Sequence, residues 1–326
     1  MKINLGIIGA GWIAGKMAET LTGLAHPDIS LYAVSSRSLD KARSFASRWG
    51  IPHAYGSYEE MLADPEVNLV YVATPHSHHF AHASLAVEAG KAVLCEKAFT
   101  ANAREAAALL ALAERKGVFI TEAIWTRYMP LSLKVKEILD SGRLGRPRMI
   151  QASLCYAMEQ KERILRPELC GGALLDLGVY CLNFMRMYFG SDIASTDSSC
   201  ILGETGTDMY ESITVKYKDG RVATLVAAAL GRCNREGLIV CDDGYIVVEN
   251  INCPEAVKVY KNYKLVEEYY PPKGQVTGYE YQVLACKEAM EKGWLESPYM
   301  PHAETVSVME QMDALRAKWG VKYPMD

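Results

Sequence analysis

A chain of 326 residues is long enough for two domains with separate cores, and 50% hydrophobic against 23% charged residues is the balance of an ordinary soluble protein. A formal net charge of −4 and a pI near 6.0 give no electrostatic case for nucleic acid or an anionic membrane as partner. The N-terminus has no basic segment with a following cleavage site, no apolar run reads as long enough to span a bilayer, and the nine cysteines are scattered without a C-x-x-C pair; reduced thiols and a cytoplasmic location are expected.

Ile3, Leu5, Ile7 and Ile8 form an apolar run of strand length, Gly9, Gly11 and Ala14 follow at G-x-G-x-x-A spacing, and a helical pattern runs on to Leu24. Each small residue has its own reason: Gly9 permits a tight strand-to-helix turn, Gly11 lets the backbone approach a pyrophosphate, and Ala14 lets the helix pack on the strand. The unpaired amides of the helix start then face the anion. Ile29–Ser35 reads as strand, Leu39–Trp49 and Tyr58–Leu62 as helices, and Asn68–Ala73 as a third, almost wholly apolar strand. A helix over Ser77–Ala89 stops at Gly90, Ala92–Cys95 is a fourth strand, Ala101–Lys116 is a helix stopped by Gly117, and Val118–Thr121 is a fifth strand. This alternation predicts right-handed βαβ units and a doubly wound parallel sheet of the Rossmann type over residues 1–121.

The rhythm changes after that. Leu131–Ser141 reads as helix, Arg148–Tyr156 as strand, and Gly172–Phe189 as a long helix ended by Gly190. Strand-like runs follow at Ser198–Leu202, Glu211–Tyr217, Arg221–Leu230, Gly237–Cys241, Tyr245–Glu249, Ala256–Tyr260 and Leu265–Tyr270, with turn signals between them. Tyr279–Lys292 and Thr305–Lys318 close the chain as helices. Residues 122–326 are therefore expected to form an α+β domain with an open, mainly antiparallel sheet. The long apolar strand with Val222, Leu225, Val226, Ala228 and Leu230, and helices for only one face of that sheet, suggest a second copy against the other face and hence a homodimer.

In an open parallel sheet, ligands sit beyond the carboxyl ends of the strands. The second strand ends Ser35-Ser36-Arg37-Ser38, with Lys41 one turn on; hydroxyls and a guanidinium suit a 2′-phosphate, where an NAD site usually has an acid, so NADP is expected over NAD. The third ends Thr74-Pro75-His76-Ser77-His78-His79, with His82 beyond. No carboxylate or cysteine partner stands at a metal-site spacing, so cofactor or substrate contact beside the nicotinamide half is expected rather than metal, with His79 foremost. The fourth ends Cys95-Glu96-Lys97, where the lysine amine can orient a substrate hydroxyl and depress the pKa of a neighbouring acid. On the apolar helix Gly172–Phe189, Asp176, Tyr180 and Asn183 stand at i, i+4 and i+7. The carboxylate and phenol make an acid/base pair, and Gly178 leaves room for a ligand.

These residues resemble the NAD(P)-dependent oxidoreductases grouped with glucose-fructose oxidoreductase and inositol dehydrogenase, and within them the branch of the dimeric dihydrodiol dehydrogenases and NADP-dependent D-xylose dehydrogenases. The resemblance rests on G-x-G-x-x-A at Gly9–Ala14, T-P-x-x-x-H at Thr74–His79, E-K at Glu96-Lys97, E-A-x-W-T-R at Glu122–Arg127, G-G-A-L-L-D-L-G-V-Y at Gly171–Tyr180 and E-S-P-x-M-P-H-x-E-T at Glu296–Thr305. It implies a cofactor site at Gly9, Gly11, Trp12, Ile13, Ala14, Ser36, Arg37, Thr74, His76, Glu96 and Lys97. It implies catalytic groups at Lys97, Asp176 and Tyr180, with His79 and Trp125 beside a polyol, sugar or diol substrate, and a dimer through the open sheet faces. Two departures stand out: most of the wider family has histidine where this chain has Tyr180, and the usual E-K-P reads Glu96-Lys97-Ala98. The rival expectations are an NAD-dependent glycosidase of the same fold and a non-catalytic nucleotide-sensing regulator.

Overall fold

All six residues of β1 (Ile3–Ile8) are buried, the pattern of a strand covered on both faces. A computed structural model describes all 326 residues. After β1 come α1 (Trp12–Leu24), β2 (Ile29–Ser35), α2 (Leu39–Trp49), β3 (His53–Tyr55), α3 (Tyr58–Ala63), β4 (Leu69–Val72), α4 (His76–Glu88), β5 (Ala92–Glu96), α5 (Ala103–Lys116) and β6 (Ile120–Ala123). The six strands form one parallel sheet ordered β3-β2-β1-β4-β5-β6. The order reverses at β1, so the ligand crevice opens beyond its carboxyl end. The three-residue β3 has no counterpart in the expected elements, being too short to show an alternation.

A 3-10 turn at Trp125–Tyr128 leads into α6 (Pro130–Asp140), with proline at the first helical turn where its missing N–H is not needed. Next come β7 (Pro147–Cys155), the short α7 (Glu162–Leu165), a π-helical turn at Leu174–Gly178, α8 (Val179–Phe189), and then β8 (Ile193–Leu202), β9 (Asp208–Tyr217), β10 (Val222–Ala228), β11 (Gly237–Cys241), β12 (Gly244–Glu249), β13 (Ala256–Lys261) and β14 (Lys264–Tyr269). These eight strands form a sheet ordered β14-β13-β12-β11-β7-β10-β9-β8, antiparallel except for the β7–β10 pair. Ala223, Leu225, Ile239, Ile246 and Val259 point into the core, and α8 lies on that face, since a Cβ at Gly237 would meet the Phe184 ring at 2.3 Å. The register places Val222, Val226, Leu238, Val240, Tyr245, Val247 and Tyr260 on the opposite face, half-buried, with the Tyr245 and Tyr260 rings stacked at 4.7 Å. Of the apolar residues expected along this strand, Leu225 is buried in the core, because side chains alternate along β10 and set it on the face opposite Val222 and Val226.

The chain returns to the first sheet after β14. α9 (Glu280–Glu291) sets Val283, Cys286 and Ala289 into the same apolar cluster as Ile3, Leu5 and Ile7 of β1 and Met17 and Leu21 of α1. The compact units are accordingly Met1–Ile124 with Val276–Met309, and Trp125–Gln275 with Glu310–Asp326, a division that falls within α10 (His302–Trp319). The expected boundary after Thr121 lies three residues short of the observed one, and a single boundary misses the return. The expectation of no membrane-length apolar run is also corrected. The helical stretch Pro167–Phe189 has 23 residues and a mean hydropathy of 1.2 over its most apolar window, but 89% of that window is buried within the fold, as in a core helix.

The π turn has a physical cause in two buried carboxyls. Gly172 has φ +118°, and a Cβ there would lie 2.2 Å from Asp208 Oδ1; the missing side chain lets Asp208 reach the Leu174 amide, which donates to Oδ2 at 2.5 Å. Gly178 faces Glu211, whose Oε1 lies 2.5 Å from where a Cβ would be, so the space expected for a ligand is filled by the protein itself. Burial raises Asp208 to about 6 and Glu211 well above its ordinary value, and neither oxygen of Glu211 finds a hydrogen-bond partner. A carboxyl whose pKa is raised by folding holds its proton in the native state, so its contribution to stability is complete below the unfolded pKa near 4.3 and is lost as pH rises towards the folded value. Glu211→Gln keeps the neutral shape. The melting temperature of the variant relative to wild type is expected to climb by about 1–4 °C per pH unit between pH 5 and 7.5. A constant difference across that range contradicts a protonated Glu211.

Candidate active site

Beyond β1 the backbone is committed to a turn that excludes side chains at one point and leaves space at another. Gly9 has φ +103°, and a Cβ there would stand 2.9 Å from the Ala73 carbonyl oxygen, whereas a Cβ at Gly11 would meet nothing within 4 Å. No side chain caps α1, and its first intrahelical bond runs from the Gly15 amide to the Gly11 carbonyl at 3.1 Å. The amides of Trp12, Ile13 and Ala14 precede that bond and leave the helix start rich in unsatisfied N–H groups and positive dipole. Ala14 is fully buried and Trp12 is 74% exposed. Open space over a glycine beside these amides fits a dinucleotide pyrophosphate.

The loop after β2 separates its polar residues by role. Ser35 donates to the Ile7 carbonyl at 3.2 Å, Ser36 is buried, and Ser38 caps α2 by accepting from the Lys41 amide at 3.4 Å. Arg37 is exposed, and its charge reaches Tyr58, His78 and His82. Of the four histidines after β4, His78 and His82 lie within the influence of the Arg37 charge. His82 Nδ1 lies 3.0 Å from Thr74 Oγ1, its ring edge meets Tyr58 at 4.6 Å, and burial pushes its pKa down to about 4.

His79 is not on the wall of the site but inside it. It is fully buried, with Nε2 2.8 Å from the Thr74 carbonyl and Nδ1 2.8 Å from the Ala98 carbonyl. Burial pushes its pKa down to about 4 against the pull of those two acceptors, so at neutral pH the ring donates its one N–H to one of the two carbonyls, according to its tautomer. The ring thereby braces the turn after β4 against the turn after β5, with His76 edge-on at 5.6 Å. That second turn carries Glu96, buried and accepting a hydrogen bond from the Tyr71 hydroxyl, and the half-buried Lys97, followed by a cis peptide bond to Ala98.

In the second unit, Trp125 and Tyr180 are both buried, and the indole Nε1–H donates to the Tyr180 hydroxyl oxygen at 2.8 Å. Asp176 forms an ion pair with Arg163 at 2.8 Å. Asp176 lies in the π turn and Tyr180 in α8, so the uniform 3.6-residue stripe expected through Asp176, Tyr180 and Asn183 does not hold across them. Asn183 is structural, accepting from Arg127 Nε at 2.6 Å and donating to the Val179 carbonyl at 2.8 Å. Arg163 escaped notice in the sequence. The signal available was the rule that a buried carboxylate requires a cation or donors, which names a need without naming its partner.

Residues 3–123 match the family model described as an oxidoreductase family with an NAD-binding Rossmann fold, and residues 132–247 match the GFO/IDH/MocA C-terminal domain. The trans-1,2-dihydrobenzene-1,2-diol dehydrogenase of Danio rerio is 34% identical over 336 residues, covering 100% of this chain and 99% of the relative; the Homo sapiens enzyme of the same name is 31% identical over 334 residues with the same coverage. Two solved structures share the fold. A 3-ketoreductase from Actinomadura kijaniata in complex with NADP and TDP-benzene has a TM-score of 0.86 at 24% identity, covering 97% of this chain and 98% of that one. An aldose-aldose oxidoreductase from Caulobacter crescentus complexed with glycerol has a TM-score of 0.87 at 20% identity, covering 98% of each. With an NAD(P)-binding Rossmann domain and a carboxy-terminal domain that both match, the chain belongs to the Gfo/Idh/MocA family of oxidoreductases and is a dehydrogenase or reductase.

Proposed function

We propose that the protein moves a hydride between NADP and a CH–OH/C=O group of a sugar, a cyclic trans-diol or a related hydroxy-carbonyl compound, with Tyr180 as the acid/base. The observation that carries this reading is the Trp125–Tyr180 bond. An indole N–H can only donate, so it binds the lone pairs of the phenol oxygen and favours the ionised form that a proton acceptor must reach. An unperturbed tyrosine, with a pKa of about 10, is too weakly ionised to serve at neutral pH.

NADP, when bound, supplies or accepts the hydride at its nicotinamide ring. Gly9, Gly11 and the amides of Trp12, Ile13 and Ala14 hold its pyrophosphate, Ser36, Arg37 and Lys41 its 2′-phosphate end, and Thr74, His76 and Glu96 the rest of the cofactor. Tyr180 takes the alcohol proton in oxidation and returns it in reduction. Asp176 orients the substrate; its pairing with Arg163 offsets a negative charge that would otherwise disfavour the phenolate. Lys97 is the substrate clamp. Trp125 shapes the substrate pocket, and His79, expected there as a ligand, serves instead as the brace of the Lys97 turn. The names of the relatives support the substrate class, the exposed Arg37 supports NADP, and nine free thiols fit the reducing cytoplasm.

Tyr180→Phe keeps the ring and removes the proton carrier. With any aldose, inositol or trans-diol turned over by wild type, kcat is expected to fall by about 10²–10⁴-fold while the Kd for NADP is unchanged. A near-normal kcat in the variant contradicts the role given to Tyr180.

The uncovered face of the second sheet supports a homodimer. Its half-buried residues Leu238, Val240 and Val247 form an apolar patch across β11 and β12, and Val222 and Val226 of β10 add apolar side chains to the same face beyond β7. Light scattering at micromolar concentration is expected to give twice the 36.1 kDa chain mass, and Val226→Glu with Val240→Glu to shift the species to monomer. A monomeric wild type contradicts the assembly.

A further inference from the structure

We propose that the 2′-phosphate of NADP is held by a second residue, His78, beside Arg37, so that binding of NADP, but not of NAD, takes up a proton; this rests on the NADP reading above.

His78 has ring capacity left for a ligand. His79 has both nitrogens on backbone carbonyls, and His82 is held by Thr74 and packed on Tyr58. His78 is half-buried, with Nδ1 2.8 Å from Ser77 Oγ, which leaves Nε2 as its remaining polar atom. Around it stand Arg37 from the loop after β2, His82 with its ring centre at 5.5 Å and His79 on its own helix, with Tyr58 on α3 packed against His82. Glu59 on α3 acts on His82. Burial first, and then the Arg37 charge, hold His78 below its ordinary value, so the ring is neutral at pH 7 with no anion bound.

Arg37 from the loop after β2 and His78 from the first turn of α4, which follow the two strands flanking β1, come together so that the Arg37 charge acts on His78 with no carboxylate influencing it. Protonation of His78 is disfavoured beside the Arg37 charge until an anion neutralises it. A 2′-phosphate brings a charge approaching −2 to that corner, reverses the local field, and makes the protonated imidazole the favoured state, with Nε2–H as a charge-assisted donor. NAD presents a ribose hydroxyl there and reverses nothing.

The sign follows. His78 has a higher pKa in the NADP complex than in the free protein, so its contribution to affinity is complete below the free value and fades as pH rises through the bound value. An increase of about one unit is worth up to about tenfold in Kd. The phosphate's own ionisation, near pH 6, works in the other direction but is common to wild type and variant, and cancels in their ratio.

Kd values for NADP and NAD are to be measured by calorimetry from pH 5.5 to 8.5, in two buffers of different ionisation enthalpy, for wild type, His78→Gln and Arg37→Ala. The variant-to-wild-type Kd ratio for NADP is expected to approach about tenfold near pH 6 and to fall towards unity by pH 8.5. Proton uptake should accompany NADP binding in wild type and shrink in His78→Gln, and NAD affinity, which also reports intact folding, should be the same in both. A pH-independent NADP ratio, or equal weakening of NADP and NAD, overturns the role of His78 while Arg37→Ala still reads the NADP preference. A wild type that binds NAD as tightly as NADP, unchanged by Arg37→Ala, overturns the cofactor reading itself and this inference with it.

Discussion

The close approach of Gly9 to the Ala73 carbonyl is the constraint on which the first unit's chemistry depends. A Cβ at Gly9 would lie 2.9 Å from that oxygen, and φ of +103° is a conformation L side chains rarely adopt. Only a bare backbone lets the end of β1 lie against the end of β4, and backbone strain alone would cost a side chain there about 1–3 kcal/mol. With that turn closed, α1 starts directly beyond β1 and its unbonded amides stand at the reversal of strand order. The loops after β2, β4 and β5 then present Arg37, the histidines and Lys97 around the same crevice. The cofactor end of the chemistry is thus a consequence of sheet order plus one glycine.

The second unit solves a different problem, that of holding a phenol and a carboxylate still on a helix that is otherwise apolar. Its answer is to bury acids beneath the backbone. Asp208 takes the Leu174 amide, Glu211 fills the space beside Gly178, and between them the chain runs through a wider π turn before α8 begins. Buried carboxyls without full hydrogen bonding are unfavourable in themselves. Their presence under the segment that carries Asp176 and Tyr180 is the kind of local strain that tends to mark functional sites, and π turns are common there.

The first unit was legible because its signals are local. Apolar strands, the glycine spacing at Gly9–Ala14 and the stops at Gly90 and Gly117 each act within a few residues, and a parallel sheet with short connections leaves little choice of topology. What escaped was set by contacts distant in sequence. Arg163 reaches Asp176 across a turn, Glu211 reaches Gly178 from another strand, and the return of α9 to pack on α1 links residues some 270 apart, a count on the order of the whole chain. Periodicity assumed an unbroken α-helix through Asp176 and Tyr180, and nothing local announced the π turn. The histidines were visible in number but not in role: the mere spacing of His78, His79 and His82 does not say that one is a brace, one a packed ring and one a candidate ligand.

At the centre of the account is hydride transfer to a nicotinamide with the hydroxyl proton leaving through Tyr180, and isotope tracing addresses it most directly. A substrate from the aldose or cyclic trans-diol classes, deuterated at its carbinol carbon, is incubated with wild-type protein and NADP+, and the reduced cofactor is recovered and examined by proton NMR. The account predicts one deuterium at C4 of the nicotinamide, on a single face, with none released to water. Failure of every such substrate to reduce the cofactor, or turnover that sends the deuterium into solvent, would contradict it.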